Sequence, residues 1–409
     1  MVSMQSFCAI RPGKNMAEAV AALPYDVMST EEARAMVEGR PYSFLRISRP
    51  EVEFGREVDP HSDEVYARSR ENLLRYLREG VLETDSEPQV YLYRQIMGSH
   101  AQTGVVMCAH IDDYLENRIK KHEFTRKDKE DDRARHVAET GAHTGPVFLA
   151  YRDDAAILAL MDEDTKGEAL YDFVTEDGIR HIVWRSSSPQ AYEKAFDSVP
   201  ALYIADGHHR AASAVRVGVD RRAAAADPTQ DAAYLHFLAV AFPATSLKIM
   251  PYNRVLKDEQ HRSTQEILSE LGKVGRLEET ALKTPTEAGS FCIYIDKKWY
   301  LLTAAPESID ASDAVASLDV DILQKRVLAP IFGIADPRTD TRIDFVGGIR
   351  GPSELERRVD SGEMRVGISM FPTQIHQIFD VSDAGGVMPP KSTWFEPKLR
   401  SGLFVHALD

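Results

Sequence analysis

Apolar and polar positions alternate along this chain in blocks that change period many times. The stretch "MSTEEARAMVEGR" has helical spacing; Ser29 or Thr30 caps it, Glu31 and Glu32 favour its positive end, and Gly39 stops it. "DEVYARSRENLLRYLREGVL" predicts a second helix with Tyr66, Leu73, Leu74 and Leu77 on one face. "QVYLYRQI" and "QTGVVMCAHI" alternate or run apolar and predict paired strands. "RKDKEDDRARHVAET" predicts a charged helix with a solvated face. "PVFLAYR" and "IRHIVWRSS" predict further strands, and "LYIADGHHRAASAVRV" predicts strand, tight turn and helix. "YLHFLAVAFPA" and "LKIMPYNRVL" resume the sheet, "STQEILSELGKV" and "DVDILQKRVLAPIFGI" are helical, and "SFCIYIDKKWYLLTA" is a hairpin.

This mixture predicts an α+β protein, with mixed sheets and surrounding helices. With 409 residues, the chain is expected to divide into lobes. The boundary is placed at 220/221, giving an N-terminal lobe 1–220 and a C-terminal α/β lobe 221–409. The polar, alanine-rich stretch 219–232 is the expected hinge. The segment "GGVMPPKSTWFEPKLRSGLFVH" reads as loop rather than core, being rich in Pro, Gly, Lys and Ser.

Charge narrows the function. The formal net charge of -15 disfavours non-specific nucleic-acid binding, although a local basic pocket can still hold a small anion. Three scattered cysteines, Cys8, Cys108 and Cys292, suggest neither a disulfide framework nor a zinc cluster. No apolar run reaches the length of a membrane span and no signal peptide is apparent, so a cytoplasmic protein is expected.

Chemistry concentrates in the "DGHHR" turn. Gly207 lets the backbone turn sharply and approach a ligand. The first amides of the following helix lack internal acceptors, and Arg210 can fork onto phosphate oxygens. Asp206 is open to three roles: helix cap, magnesium ligand, or orienter of a histidine. His208 and His209 are adjacent and do not both face one metal easily, and no H-x3-H or C-x2-C spacing supports zinc.

A second cluster is "IKKHEFTRKDKEDDR". Arg126 stands where a zinc protease needs its second histidine, so that motif fails. Glu123 remains, among Lys120, Lys121, Arg126, Lys127, Lys129 and Arg133, as a carboxylate able to accept a proton. Lys391 follows a double proline but lacks the glycines of a phosphate loop. His143 and Thr144 sit between Gly141 and Gly145 before a strand, and Asp26 follows a Pro-Tyr pair.

Together "LPYDVMSTEEAR", "PYSFLRISRPE", "YLYRQIMG", "IKKHEFTRKDKEDDR", "TGPVFLAYR", "LYIADGHHRAASA", "IMPYNRV" and "MPPKSTWFEPKLRSGLF" resemble the bacterial DUF1015 family over almost the whole chain. The "DGHHR" turn is similar to that of archaeal free-serine kinases in the ParB/sulfiredoxin-like superfamily. That resemblance implies a nucleotide-binding core and phosphoryl transfer from ADP or ATP to the hydroxyl of L-serine, with Mg2+. It makes Asp206 to Arg210 the phosphate and magnesium turn, with Asp206 the metal ligand and His208 and His209 in the catalytic set. Glu123 is the candidate base on chemical grounds, with a histidine as the alternative. Arg126, Lys129, Arg133 and Lys391 are candidate phosphate contacts. Asp26 and Arg46 or Arg254 are candidates for the acceptor's ammonium and carboxylate. The sulfiredoxin branch has a cysteine where His208 stands, which disfavours sulfinic acid repair. A nucleotide-binding switch and a metal-dependent hydrolase are the alternatives.

Overall fold

A computed structural model describes residues 1–226, 229 and 232–409. The chain packs as two compact units, 1–247 with 397–409, and 248–396. Position 220/221 falls inside a helix of the first unit, His208–Ala224. Part of the expected hinge, at 227, 228, 230 and 231, lies outside the described residues.

The first unit is built on a nine-stranded sheet. Its strands are β1 (Met4–Gln5), β2 (Tyr91–Met97), β3 (His100–His110), β4 (Ile119–Lys120), β5 (Val147–Tyr151), β6 (Tyr171–Val174), β7 (Arg180–Arg185), β8 (Leu202–Asp206) and β9 (His236–Pro243). The order is β4-β8-β5-β9-β3-β2-β7-β6, with β1 pairing on β3. Pairing is antiparallel except for β8 with β4 and β9 with β5. Strands β5 and β9 are apolar on both faces because both faces are covered. One core gathers Leu149, Ile204, Ala211, Val215 and Ala239 between sheet and helices.

Four helices matter for the site or its support: α1 (Thr30–Val37), α2 (Asp63–Arg78), α3 (Lys127–Thr140) and α4 (His208–Ala224). Ser29 and Glu32 form the capping box of α1. The buried face of α2 runs through Tyr66, Ser69, Asn72, Leu73 and Tyr76. Leu74, expected inside, is 44% exposed: a helix turns 100° per residue, and Leu73 and Tyr76 set the inward stripe instead. Helix α3 ends at Gly141, left-handed at φ 64°.

The second unit holds a six-stranded antiparallel sheet in the order Gly275–Thr280, Lys298–Ala304, Ser290–Ile295, Val366–Met370, Tyr252–Leu256 and Ile343–Gly347. The segment "LKIMPYNRVL" therefore does not resume the first sheet. Lys248–Met250 pairs with Trp394–Glu396, and Tyr252–Leu256 enters the second unit's sheet. Asp296 and Lys297 turn the expected hairpin with positive φ, 46° and 62°.

The largest departure concerns the C-terminal segment, expected to be loop. Leu399, Leu403 and Phe404 are buried, and Val405–Ala407 pairs with both Ala9–Pro12 and Ala142–His143. Apolar residues interleaved with Lys398 and Arg400 made a core strand-and-turn look like a basic loop. Gly402 sits at φ 91°, and a Cβ there would come within 2.7 Å of the Phe44 ring. Gly402→Ala is expected to destabilise the first unit by about 2–4 kcal/mol, from backbone strain plus overpacking. Urea denaturation checks this; an unchanged midpoint would contradict the packing described.

Candidate active site

The site grows from the end of β8. Pairing of β8 with β5 shifts register between Ile204 and Asp206, so Ala205 is an extra residue that re-aims Asp206. Gly207 follows at φ 87°, a left-handed conformation that a side chain would strain. Gly207 is the N-cap of α4 and offers no side-chain acceptor to its first turn. Asp206 is therefore not the cap. Its Oδ1 accepts from the Gly207 amide at 2.8 Å. The opening of α4 keeps outward amides and a positive dipole end without a side-chain cap.

Asp206 Oδ2 accepts from the Lys398 ammonium at 2.8 Å. Burial works against charge on Asp206, but Lys398, Arg210 and the Gly207 amide outweigh it and hold the carboxyl well below the ordinary range. Lys398 is placed by the returning C-terminal segment. Its carbonyl accepts from Gln95 Nε2 at 2.8 Å, and Ser401 exchanges backbone hydrogen bonds with Ala22 at 2.9 and 3.1 Å.

The parallel pairing of β4 with β8 carries the following loop, residues 121–126, alongside the turn. His122 and His208 are both buried, their rings edge to face with centroids 4.6 Å apart. Neither ring nitrogen of His122, nor Nε2 of His208, makes a hydrogen bond of normal geometry among the described residues. Burial pushes His122 down to about 4; burial and the neighbouring His122 hold His208 well below its ordinary value. Both imidazoles are neutral at pH 7. Glu123 Oε2 lies 3.8 Å from His208 Nδ1. His209 Nε2 accepts from the Arg126 amide at 3.0 Å, which puts its proton on Nδ1 and fastens the loop to α4.

The turn and the loop thus bring Glu123, Asp206, Gly207, His208 and His209 together. The side chain of Arg126 pairs instead with Asp128, 2.8 Å away, and is mostly exposed. Lys129 is exposed on α3. Arg133 points inward, bound to Asp132 at 2.7 Å and stacked 4.2 Å from the Tyr25 ring centroid. Arg210 lies over the same ring at 5.3 Å, donates to the Pro146 carbonyl at 3.1 Å, and stands 3.9 Å from Asp26. Arg46 is committed elsewhere, to Glu53 at 3.0 Å and the carbonyls of Val37 and Arg40 at 2.9 and 3.1 Å.

Arg254 and Lys391 belong to the second unit. Arg254 is buried and donates to the carbonyls of Tyr252 and Lys391; Lys391 lies 5.3 Å over the Tyr252 ring. Lys398, His122 and Tyr25 escaped sequence reasoning. Lys398 had one visible signal, its place with Arg400 just ahead of the apolar run Leu403–Val405. Tyr25 had only its place beside Asp26.

The profile of the family described as "Protein of unknown function (DUF1015)" matches residues 4–321. No curated protein matches the chain. Among solved structures, a free serine kinase in complex with AMP is similar at 16% identity and a TM-score of 0.35, covering 73% of this chain and 92% of that one. A conserved hypothetical protein from Pyrococcus furiosus is similar at 14% identity and a TM-score of 0.34, covering 73% and 95%. SbnI with a C-terminal truncation, from Staphylococcus aureus, is similar at 11% identity and a TM-score of 0.38, covering 73% and 86%.

The Asp206–Lys398 pair sets a pH dependence. A carboxyl whose pKa is lowered by folding adds stability that is full above its unfolded pKa, about 4, and is lost as pH falls through the lower folded value. The stability gap between the native chain and Asp206→Asn should therefore be constant above about pH 4 and shrink below it. Urea titrations across pH measure the gap; a gap that does not change with pH would contradict the pairing.

Proposed function

The chain belongs to the DUF1015 family, and on that footing we propose that it is a phosphotransferase with an alcohol group as acceptor. It moves a phosphoryl group from ADP or ATP to the hydroxyl of a small acceptor of the L-serine type, giving O-phosphoserine. The observation that carries this reading is the opening of α4. A glycine N-cap leaves its first amides facing outward, with Arg210 in the same turn and Lys398 held beside it by Asp206. Phosphoryl transfer asks little covalent chemistry of a protein; it asks for positive charge on the phosphates, alignment, and a base at the acceptor hydroxyl.

In this reading the α4 amides, Arg210 and Lys398 receive the phosphates. The acceptor oxygen forms a bond to the terminal phosphorus as the bridging P–O bond breaks. ADP leaves as AMP, or ATP as ADP. The hydroxyl proton passes to Glu123, which His208 faces at 3.8 Å. His209 is a positioning residue, since it holds the loop that carries Glu123.

Magnesium was expected on Asp206. The Lys398 ammonium already lies 2.8 Å from Oδ2, so a metal would have to displace it. The residues as they stand do not fit a metal there, and no step is routed through one. Among the described residues no three of His, Cys, Asp and Glu converge as a metal set.

Incubating the purified chain with L-serine and ADP or ATP, and following products by phosphorus NMR, is expected to show O-phosphoserine. Asp206→Asn and Lys398→Met are each expected to lower kcat/KM by about 100-fold or more, the scale of losing a preorganised charge contact. Tight nucleotide binding without any product would favour the switch and overturn the transferase.

A further inference from the structure

Beside Arg210 the first unit forms a small, partly open cavity, lined among others by Tyr25, Ser48, Arg133, His143, Thr144 and Arg210. It offers about 40 Å³ to the centres of water-sized spheres. One water needs about 10–15 Å³ on that measure, so the space suits a group of a few heavy atoms and not a nucleoside.

Two guanidinium groups face the cavity, and no Asp or Glu is among the residues that line it. Ser48 and His143 are 4% and 5% exposed; the Ser48 hydroxyl and both His143 ring nitrogens have no hydrogen-bond partner among the described residues. Buried polar groups left in this way are costly and mark a missing partner. Burial holds His143 well below its ordinary pKa, so it enters as a neutral ring with one N–H to give.

The charge balance selects the partner. Arg133 spends Nε and Nη2 on Asp132, at 2.8 and 2.7 Å, and its charge is largely matched. Arg210 gives Nη1 to the Pro146 carbonyl, while its Nη2 is 3.9 Å from Asp26, beyond hydrogen-bond reach. Of the two guanidinium groups Arg210 is the less committed, and a single guanidinium suits a monoanion. A guanidinium edge matches the two oxygens of a carboxylate. Gly145 makes this edge possible, because a Cβ there would lie 2.9 Å from Arg210 Nη1.

We propose that this cavity is a carboxylate-binding site, which takes the carboxylate of a small hydroxy or amino acid through Arg210, Ser48 and His143. That this acid is also the phosphoryl acceptor rests on the transferase reading; the binding itself does not. The same Arg210 would then link the acceptor's carboxylate to the phosphate turn, and the enzyme would reject alcohols without an acid group.

Calorimetric titration of the full chain, without nucleotide, tests this with L-serine, glycolate, ethanolamine and orthophosphate as probes. L-serine and glycolate are expected to bind once per chain and ethanolamine at least about tenfold more weakly, while any orthophosphate binding, which the α4 turn accounts for, is expected to be unchanged in Ser48→Val. Ser48→Val fills the cavity with a methyl, and Gly145→Ala presses on Arg210. Each is expected to weaken L-serine by about tenfold or more, with thermal melting reporting that the variant is folded. If a variant does not fold, the comparison of probes on the native chain decides. No carboxylate binding to the native chain, or binding of orthophosphate alone, would overturn the site whatever the transfer assay shows. Carboxylate binding without phosphoryl transfer would uphold the site and remove the transferase.

Discussion

An ammonium 2.8 Å from a carboxylate joins the two parts of the first unit that sequence separates most. Asp206 ends β8, and Lys398 lies on the segment that returns after the second unit. Neither charge is cheap where it stands, since both side chains are partly withdrawn from water. Each makes the other tolerable, and the pair fixes the Lys398 ammonium beside an uncapped helix start. The bulge at Ala205, the left-handed Gly207 and the burial of Leu399 and Phe404 all serve to hold that geometry.

The neighbouring histidines take different parts. His209 is a fastener, bound through Nε2 to the loop backbone. His208 and His122 are neutral, buried and edge to face, and neither nitrogen of His122 nor Nε2 of His208 makes a hydrogen bond of normal geometry among the described residues. Desolvation keeps them uncharged, so they add no positive charge to repel Lys398 or Arg210. Positive charge at the turn comes from lysine and arginine side chains and the helix dipole rather than from these two imidazoles.

Much of this was legible in the sequence where local rules govern. Strand, glycine turn and helix at 202–217 follow from an apolar run, a residue free to take positive φ, and alanine-rich helical spacing. Glu123 was legible as a carboxylate beside a dense set of cations. The parallel pairing of β4 with β8 that brings it to the turn was not, because register depends on tertiary packing. Lys391 attracted attention through its prolines, whereas Lys398 makes the ion pair: a lysine's neighbours in sequence do not reveal which carboxylate it will meet. Arg46 looked available for a ligand until its donors were seen to be taken by Glu53 and two carbonyls. Arg133 shows the converse. Its place in a charged run suits a solvated helix face or a phosphate contact, yet it turns inward onto Tyr25.

The central claim is that the start of α4, with Lys398 and Arg210, receives phosphate. A crystal structure of the full chain with ADP tests it most directly. The claim requires the terminal phosphate oxygens to lie within hydrogen-bond distance of the His208 to Arg210 amides, with the Lys398 ammonium beside them. ADP bound with its phosphates elsewhere on the molecule would contradict it.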